Sequence, residues 1–418
     1  MSVSGTHLTN CRLCNSSNLH SVIDFGHIPL GNNLNFSIEH SLKSEKYPLV
    51  VDRCNSCGHF QLSFSVNKEI LYQRDYSYLS SIGKKFVDHL EWSAKDILSL
   101  KKLNVKKCQD LFVIDIGSND GTALSFFKGK GCKVLGIDPS DLPVKEASKK
   151  DINTINHFFD SSLAEQLIVS KGQADIIISH NVLAHVEDLK DIFLGIFKLL
   201  KDEGVFVFEI GYFANMIKDG IYDTIYHEHL DYHTLKPIIK FLNSIGFSVF
   251  SAKVVDSQGG SLRIYCSKLQ FIKNNNQIIK DLLNLEAKLI EQLKIETWRN
   301  NIFCNAKQVR QKINQVTANK GKIFGYGAPT KSTLACKIIK IEKNNIIEIL
   351  DDNKIKVGRH LPVLGIPIVS KFSSQITPSD LIICFAWNFI EAVVDNIRIK
   401  YGRNISIIST QNGKVFKT

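Results

Sequence analysis

The chain has 418 residues, far more than the roughly 150 expected of one domain, so we expect two or three domains. Apolar residues make up 44% and charged residues 22% of the chain, a globular composition that excludes disordered, collagenous and coiled-coil proteins. Lysine and arginine number 52 against 41 acidic residues; this basic balance favours nucleotides, nucleic acids or other anionic partners without choosing among them.

Two cysteine pairs dominate the first 72 residues, where little periodic apolar pattern accompanies them. Cys11 and Cys14 form one CxxC pair, and Cys54 and Cys57 form the other. A two-residue gap lets both sulfurs of a pair reach one metal from a tight turn, and four thiolates complete a tetrahedral Zn2+ site. Because four protein ligands leave no open position, we expect a structural zinc site, with four unligated cysteines as the alternative.

An alternation of strand and helix patterns follows, over residues 73–265. Apolar residues recur at helical spacing over 72–100, and a glycine turn from Gly117 to Gly121 separates the first strand pattern from a helix pattern that begins at Thr122. Alternating strands and helices predict a mostly parallel, doubly wound sheet. The predicted strands are 111–115, 133–137, 175–179 and 204–209.

The first glycine turn carries a carboxylate at the end of its strand, Asp115. In a dinucleotide site an acidic residue there would repel the pyrophosphate. S-adenosylmethionine has no phosphate and carries a sulfonium and an ammonium, so carboxylates suit it. Asp138, about 20 residues beyond the turn, can accept hydrogen bonds from ribose hydroxyls. The sequence therefore favours S-adenosylmethionine over NAD as cofactor.

The most concentrated polar cluster extends from Tyr222 to His233. It holds three histidines, three tyrosines and a glutamate within twelve residues. Histidine titrates near neutrality and can act as a general base, and tyrosine can donate a hydrogen bond to a developing oxyanion. Alternatively, His227 and His229 ligate a metal, or some of these rings are structural. His185 follows a predicted strand at the carboxyl edge, where doubly wound sheets bind ligands.

Two further motifs have two interpretations each. Tyr76 and Tyr78 lie at the junction of the first two domains and either cap the site or pack at the interface. The run from Gly259 to Arg263 combines a flexible turn with a cation that either binds an anionic or carbonyl oxygen or belongs to a tight hairpin. Helical spacing over 269–316 predicts one or two long helices that bridge to the last domain.

Strand and helix patterns restart near Lys322 and predict a second Rossmann-like domain within residues 266–418. Its turn, from Gly325 to Ser332, nearly matches a Walker A loop, but Thr330 replaces the glycine that precedes the lysine, so ATP hydrolysis is not expected. A glycine turn at a helix start beside Thr330 and Lys331 suits a diphosphate group. An ordinary βα connection is the alternative.

In chain order these motifs resemble a known family. The paired CxxC groups, VIDIGSNDGT, GIDPS, NVLAHVED, YHEHLDY, GGSLR and GYGAPTKS are similar to the S-adenosylmethionine-dependent sugar C-methyltransferases, which build branched-chain deoxysugars on nucleotide carriers. The resemblance covers nearly the whole chain. It implies an α/β protein with a zinc-binding domain (1–72), a Rossmann-like class I methyltransferase domain (73–265) and a second Rossmann-like domain that helps to hold a nucleotide-sugar (266–418).

The resemblance also implies a reaction, methylation at C-3 of a dTDP-linked 4-keto-deoxysugar. The ketone acidifies the neighbouring C–H, a base removes that proton, and the enolate carbon attacks the sulfonium methyl group. The implied base is His229, supported by Glu228 and Tyr226, with His185 near the keto oxygen and a tyrosine at Tyr76 or Tyr78. Cofactor contacts are expected at Asp115, Gly117, Asn119, Gly121, Asp138 and Asn181, and substrate contacts at His227, Arg263, Tyr326, Thr330 and Lys331.

Other functions make different use of the same residues. In an O-methyltransferase acting on a sugar or small metabolite, His229 would deprotonate a hydroxyl. A zinc-containing nucleic-acid methyltransferase would fit the basic balance, but the lysines are scattered rather than grouped in a stripe, so no nucleic-acid partner is expected. Without a secretory signal pattern or a long apolar stretch, we expect a soluble, cytoplasmic monomer or dimer with no membrane partner.

Overall fold

The fold was obtained as a computed structural model that describes residues 4–71, 79–100, 103, 107–257, 259–268 and 276–418. Tyr76 and Tyr78 lie outside the described residues. The strands are β1 (Gly5–His7), β2 (Leu19–Pro29), β3 (Lys46–Cys54), β4 (Phe60–Leu62), β5 (Phe64–Val66), β6 (Phe112–Ile116), β7 (Lys133–Ile137), β8 (Thr154–Ile155), β9 (Ala174–His180), β10 (Leu200–Gly211), β11 (Asp231–Tyr232), β12 (Phe247–Val255), β13 (Ser261–Lys268), β14 (Ile323–Tyr326), β15 (Ile349–Leu350), β16 (Ile368–Val369), β17 (Leu381–Cys384), β18 (Ser406–Ser409) and β19 (Val415–Lys417). The helices are α1 (Ile38–Leu42), α2 (Lys68–Leu71), α3 (Lys84–Leu98), α4 (Thr122–Lys128), α5 (Asp141–Lys149), α6 (Ser161–Lys171), α7 (Leu189–Leu199), α8 (Phe213–Lys218), α9 (Leu235–Ile245), α10 (Gln277–Leu289), α11 (Gln292–Ala318), α12 (Ser332–Ile339) and α13 (Ile390–Tyr401).

The N-terminal sheet has the strand order β11-β4-β3-β2. Its edge strand β11 comes from the polar cluster of the central part of the chain, and it pairs antiparallel with β4 through Asp231–Gln61 and Tyr232–Phe60. The apolar side chains of β3 and β4 share one core with Phe213, Leu230 and Trp298 from later elements. A domain this small cannot bury enough apolar surface by itself, so its hydrophobic core is completed by side chains from later parts of the chain.

The central sheet has the order β12-β13-β10-β9-β6-β7-β8. The five strands from β10 to β8 are parallel, and β13 and β12 add an antiparallel edge. Apolar residues of α6, α7 and α9 cover one face, and those of α3, α4 and α5 cover the other. This architecture confirms the mixed α/β fold with a doubly wound, mostly parallel sheet, which places the carboxyl ends of β6, β7 and β9 at one edge.

The C-terminal sheet has the order β16-β15-β14-β17-β18-β19, parallel except for β19. The preceding helix α11 buries Trp298 in the N-terminal core and Val309 and Ile313 in the C-terminal core. This is the bridging helix that the spacing predicted. Of the helices within the described ranges, none combines the length and the apolar content that crossing a bilayer requires.

Candidate active site

The glycine turn after β6 has positive φ angles, which residues with a Cβ atom rarely adopt. Gly117 has φ +74°, and a Cβ atom added there would lie 2.3 Å from Cγ2 of Val182. Gly121 has φ +72° immediately before α4, and Asn119 between them has φ +50°. Glycine adopts such angles without steric cost, so the turn keeps the backbone close to whatever occupies the edge of the sheet.

Two buried carboxylates, Asp115 and Asp138, lie at this edge. The Asp138 carboxylate accepts hydrogen bonds from the backbone N–H groups of Asn119 and Ser140, each at 2.9 Å. Oδ1 of Asp115 has no hydrogen-bond partner among the described residues. Burial and the charge of Asp138 raise the pKa of Asp115 well above its ordinary value. A bound cation would favour the ionised pair, whereas a diphosphate would be repelled.

Two unpartnered polar atoms accompany Asp115. Within the described part of the chain, neither Oγ of Ser118 nor Nδ2 of Asn181 has a hydrogen-bond partner, and both are buried. Asn181 follows β9 with φ +57°. Buried polar atoms without partners are rare in folded proteins. Together with the paired carboxylates, they fit a polar, cationic cofactor such as S-adenosylmethionine.

Two histidine rings, His185 and His229, pack together with their centroids 4.7 Å apart and their planes tilted by 58°. Nδ1 of His185 donates to the carbonyl oxygen of Glu228 at 2.7 Å. Nδ1 of His229 donates to the carbonyl oxygen of Thr224 at 2.9 Å, and its Nε2 lies 2.9 Å from the hydroxyl of Tyr226. Because carbonyl oxygens only accept, each Nδ1 carries the ring hydrogen and each Nε2 keeps a lone pair.

The local environment keeps both rings neutral. Burial and the neighbouring His185 lower the pKa of His229 to about 3, and burial lowers the pKa of His185. The loop that carries His185 leads into α7, and the Asp188 side chain caps the N-terminus of this helix by accepting a hydrogen bond from the N–H of Asp191 at 2.9 Å. The site therefore presents unprotonated imidazole at neutral pH.

Glu228 directly precedes His229 in the chain, and its backbone carbonyl oxygen accepts the hydrogen bond from His185. Its side chain is 6% exposed, and burial raises its pKa to about 7. Oε1 accepts a hydrogen bond from Nδ2 of Asn32 at 3.1 Å, and Oε2 has no partner among the described residues. A carboxylate poised near neutrality with one unsatisfied oxygen is typical of a catalytic site.

The sequence did not point to Asn32 as a site residue. In the structure this residue of the N-terminal part of the chain hydrogen-bonds to one residue of the central part and to one of the C-terminal part. Its Oδ1 accepts from Oγ1 of Thr330 at 2.7 Å, while its Nδ2 donates to Glu228. A Cβ atom on the preceding Gly31 would lie 1.9 Å from the carbonyl oxygen of Thr330, so this contact needs a glycine. The sequence signal was a turn between Pro29 and Gly31, and a turn alone does not indicate a site.

Two of the expected substrate contacts are buried and paired within the protein. His227 is 1% exposed, packs against the Tyr47 ring and lies 3.3 Å from the Tyr47 carbonyl oxygen. Arg263 is fully buried in β13, where its guanidinium pairs with Glu209 and with Asp96. These carboxylates neutralise the charge of Arg263 within the β12–β13 hairpin. The structure therefore agrees with the second interpretation of the Gly259–Arg263 run, a tight hairpin.

The C-terminal glycine turn docks on the polar cluster. Nζ of Lys331 lies 3.5 Å from Oδ2 of Asp223 and 3.9 Å from the centre of the Trp387 ring, so its charge is largely compensated within the protein. The hydroxyl of Tyr326 donates to Asp352 at 2.5 Å. Tyr326 and Asp352 line a cavity of about 280 Å³ at the carboxyl edge of this sheet, where Rossmann-like folds bind ligands.

The four cysteines converge on one point. Their sulfurs all lie within 4.8 Å of one another, and the Cys11–Cys57 and Cys14–Cys54 sulfurs are 3.6 Å apart. Tetrahedral zinc thiolates place sulfurs about 3.8 Å apart, so this geometry fits Zn2+. Burial opposes ionisation of Cys54, but the N–H groups of Cys57 and Ser56 lower its pKa to about 7. The predicted structural zinc site is confirmed.

Three protein-family models match successive parts of the chain. A putative zinc-binding domain matches residues 11–72, a methyltransferase domain matches residues 95–252, and a C-methyltransferase C-terminal domain matches residues 256–408. The C-methyltransferase NovU of Streptomyces niveus is 25% identical over 391 residues, which cover 93% of this chain and 92% of that protein.

Solved structures match less than half of the chain. The magnesium protoporphyrin IX methyltransferase of Synechocystis PCC 6803 with bound S-adenosylmethionine is 17% identical with a TM-score of 0.34, and covers 44% of this chain and 81% of its own. The PH0226 protein of Pyrococcus horikoshii OT3 is 16% identical with a TM-score of 0.36, and covers 46% of this chain and 95% of its own.

Proposed function

We propose that this chain is an S-adenosylmethionine-dependent C-methyltransferase with an N-terminal zinc-binding domain, and that it methylates C-3 of a nucleotide-linked, dTDP-type 4-keto-deoxysugar. The observation that carries the proposal is the neutral histidine pair beside a buried carboxylate with one unpartnered oxygen. Carbon methylation next to a ketone needs a base for the C–H group and a hydrogen-bond donor for the enolate oxygen.

We assign the base to Nε2 of His229. Its Nδ1–H remains bonded to the Thr224 carbonyl, so the ring keeps its orientation while Nε2 takes the proton. The Tyr226 hydroxyl lies against the same nitrogen and must turn its hydrogen away before the substrate C–H can approach. Turning frees that hydrogen for the enolate oxygen.

His185 is placed near the keto oxygen in this proposal. Because its Nδ1 already donates to the Glu228 carbonyl, its Nε2 has no hydrogen to offer until the ring is protonated. Tyr226 is therefore the donor available in the neutral site, and His185 stabilises the oxygen only as an imidazolium. Glu228, which directly precedes His229 in the chain, carries a buried carboxyl group that ionises close to neutral pH.

The remaining residues hold the two reactants. S-adenosylmethionine, when bound, supplies an electrophilic methyl group on a sulfonium. Asp115, Asp138 and Asn181 fit its cationic and hydroxyl groups, and Gly117 lets the backbone approach it. In the C-terminal domain, the cavity beside Tyr326 offers space for the nucleotide of the sugar.

Deuterium exchange tests the carbon mechanism directly. In D2O without S-adenosylmethionine, the enzyme should exchange the C-3 hydrogen of a dTDP-4-keto-deoxysugar, followed by NMR. With the cofactor, a panel of dTDP- and GDP-linked keto sugars should show one that gains the mass of one methylene group. A product methylated on oxygen, formed without C-3 exchange, would identify an O-methyltransferase instead.

The His229→Ala variant tests the base. It should lose both exchange and turnover by about 10²–10⁴-fold, the usual contribution of a positioned general base, while calorimetry shows unchanged affinity for S-adenosylmethionine. His157→Ala, at an exposed position of the same domain, is the matched control and should behave as wild type. Unchanged exchange in His229→Ala would assign the base elsewhere.

A further inference from the structure

Arg12 lies inside the first zinc knuckle, between Cys11 and Cys14, but its side chain leaves the metal site. The side chain is 8% exposed. Its Nε lies 3.0 Å from both carboxylate oxygens of Asp231. Nη1 donates to the carbonyl oxygen of Glu187 at 3.0 Å, and Nη2 donates to that of Val186. Three guanidinium nitrogens are therefore engaged by three residues that follow Arg12 by more than 170 positions.

These acceptors follow the two histidines closely in the chain. Val186 and Glu187 directly follow His185, and Asp231 stands two positions after His229. The two segments are joined again by the hydrogen bond from the N–H of Leu230 to the carbonyl oxygen of Ala184 at 2.7 Å. The guanidinium thus spans the two segments whose relative position sets the distance between the histidine rings.

Two further residues of the zinc-binding part of the chain contact the segment that carries Asp231. His59, two residues beyond Cys57, lies with Nε2 2.8 Å from Oδ1 of Asp231, and the N–H of Leu62 donates to the carbonyl oxygen of Leu230 at 2.9 Å. Asp231 itself is 3% exposed. A buried carboxylate held from two points of the zinc domain makes a rigid attachment rather than a surface ion pair.

We propose that Arg12 is a positioning residue through which the zinc knuckle sets the spacing of His185 and His229. The inference rests on the proposed function in assigning those rings to the reaction. Cys11 and Cys14, when bound to zinc, would fix the backbone of Arg12 between them. The guanidinium then holds the His185 and His229 segments at a set distance from that backbone. Lysine cannot replace it, because one ammonium cannot donate along the divergent directions that a planar guanidinium provides.

The test compares Arg12→Ala and Arg12→Lys with wild type. A displacement of catalytic groups by about 1 Å can cost about 100-fold in rate, so both variants should lose about 10–100-fold in kcat, with KM for the sugar and affinity for S-adenosylmethionine changed less than about twofold. Zinc content, measured by metal analysis, should stay at the wild-type level. Millimolar guanidinium should restore part of the kcat of Arg12→Ala and none of that of Arg12→Lys.

A matched control is available in Arg299, which also reaches across a domain boundary to a backbone carbonyl, that of Val22 at 3.3 Å, but at a distance in the chain from either histidine segment. Arg299→Ala should keep the wild-type kcat. If Arg12→Ala keeps its kcat with zinc bound, or if its activity falls only in proportion to lost zinc, Arg12 serves the folding of the knuckle and the proposal is overturned.

Histidine spectra separate this inference from the proposed function, because they need no substrate. With 15N-labelled histidine, Arg12→Ala should shift the Nδ1 and Nε2 signals of His185 and His229, and removal of zinc from wild type by a chelator should shift the same signals. Arg299→Ala should leave them unchanged. Unshifted rings in Arg12→Ala would refute the positioning role, whereas a chain inert toward every keto sugar would refute the proposed function alone.

Discussion

Replacing Glu228 by glutamine should remove the acid limb of the pH–rate profile. Burial raises the pKa of Glu228 from 4.5 to about 7, so ionising this carboxyl group in the site costs about 3 kcal/mol more than in water. About one tenth of it is ionised at pH 6 and about nine tenths at pH 8, which corresponds to about a tenfold rise in any rate that needs the carboxylate. His229 stays neutral throughout, because its pKa is about 3.

The assay is kcat/KM for the keto sugar between about pH 5.5 and pH 8.5. Wild type should show an acid limb with an apparent pKa near 7. Glu228→Gln should be slower and flat over this range, and Glu203→Gln, at an exposed position, should keep the wild-type limb. A wild-type profile flat between pH 6 and pH 8, or a limb that persists in Glu228→Gln, would refute the reasoning.

The same shift predicts a stability change. Because the folded-state pKa lies above the unfolded value, the folded protein binds the extra proton. Stability is fully present below about pH 4.5 and declines as pH rises through about 7, by up to about 3 kcal/mol. Urea unfolding of Glu228→Gln should lack this part of the decline. An identical pH dependence in both proteins would show that the carboxyl group is not desolvated.

Two further variants test the cofactor turn and the metal site. Gly117→Ala should weaken S-adenosylmethionine binding by about tenfold or more, since its Cβ would lie 2.3 Å from Val182; Gly131→Ala, at φ +93° with nothing within 4 Å, should bind normally, and equal affinities by calorimetry would contradict the steric argument. Cys54→Ser should lose most of its zinc and lower the melting temperature, whereas Cys304→Ser, at an exposed free cysteine, should keep both; a Cys54→Ser protein with full zinc content would show that three thiolates suffice.

The sequence by itself determined the features that depend on neighbouring residues. Two-residue gaps bring the sulfurs of each CxxC pair to one turn, and a glycine turn between a strand and a helix pattern places Asp115 at the edge of a parallel sheet. Helical spacing also predicted the bridging role of α11. Each of these patterns lies within a few turns of chain, so the residues that make the contact are close enough in sequence to be recognised together.

Only the tertiary structure decided which distant groups meet. Arg12 and Asp231 are 219 positions apart, and Asn32 and Glu228 are 196 apart; no local pattern records such partners. For the same reason the sequence could not show that Arg263 forms a buried ion pair with Glu209 inside a hairpin. Burial is a property of the assembled chain, and it is burial that gives Glu228 its near-neutral pKa and keeps His185 and His229 unprotonated.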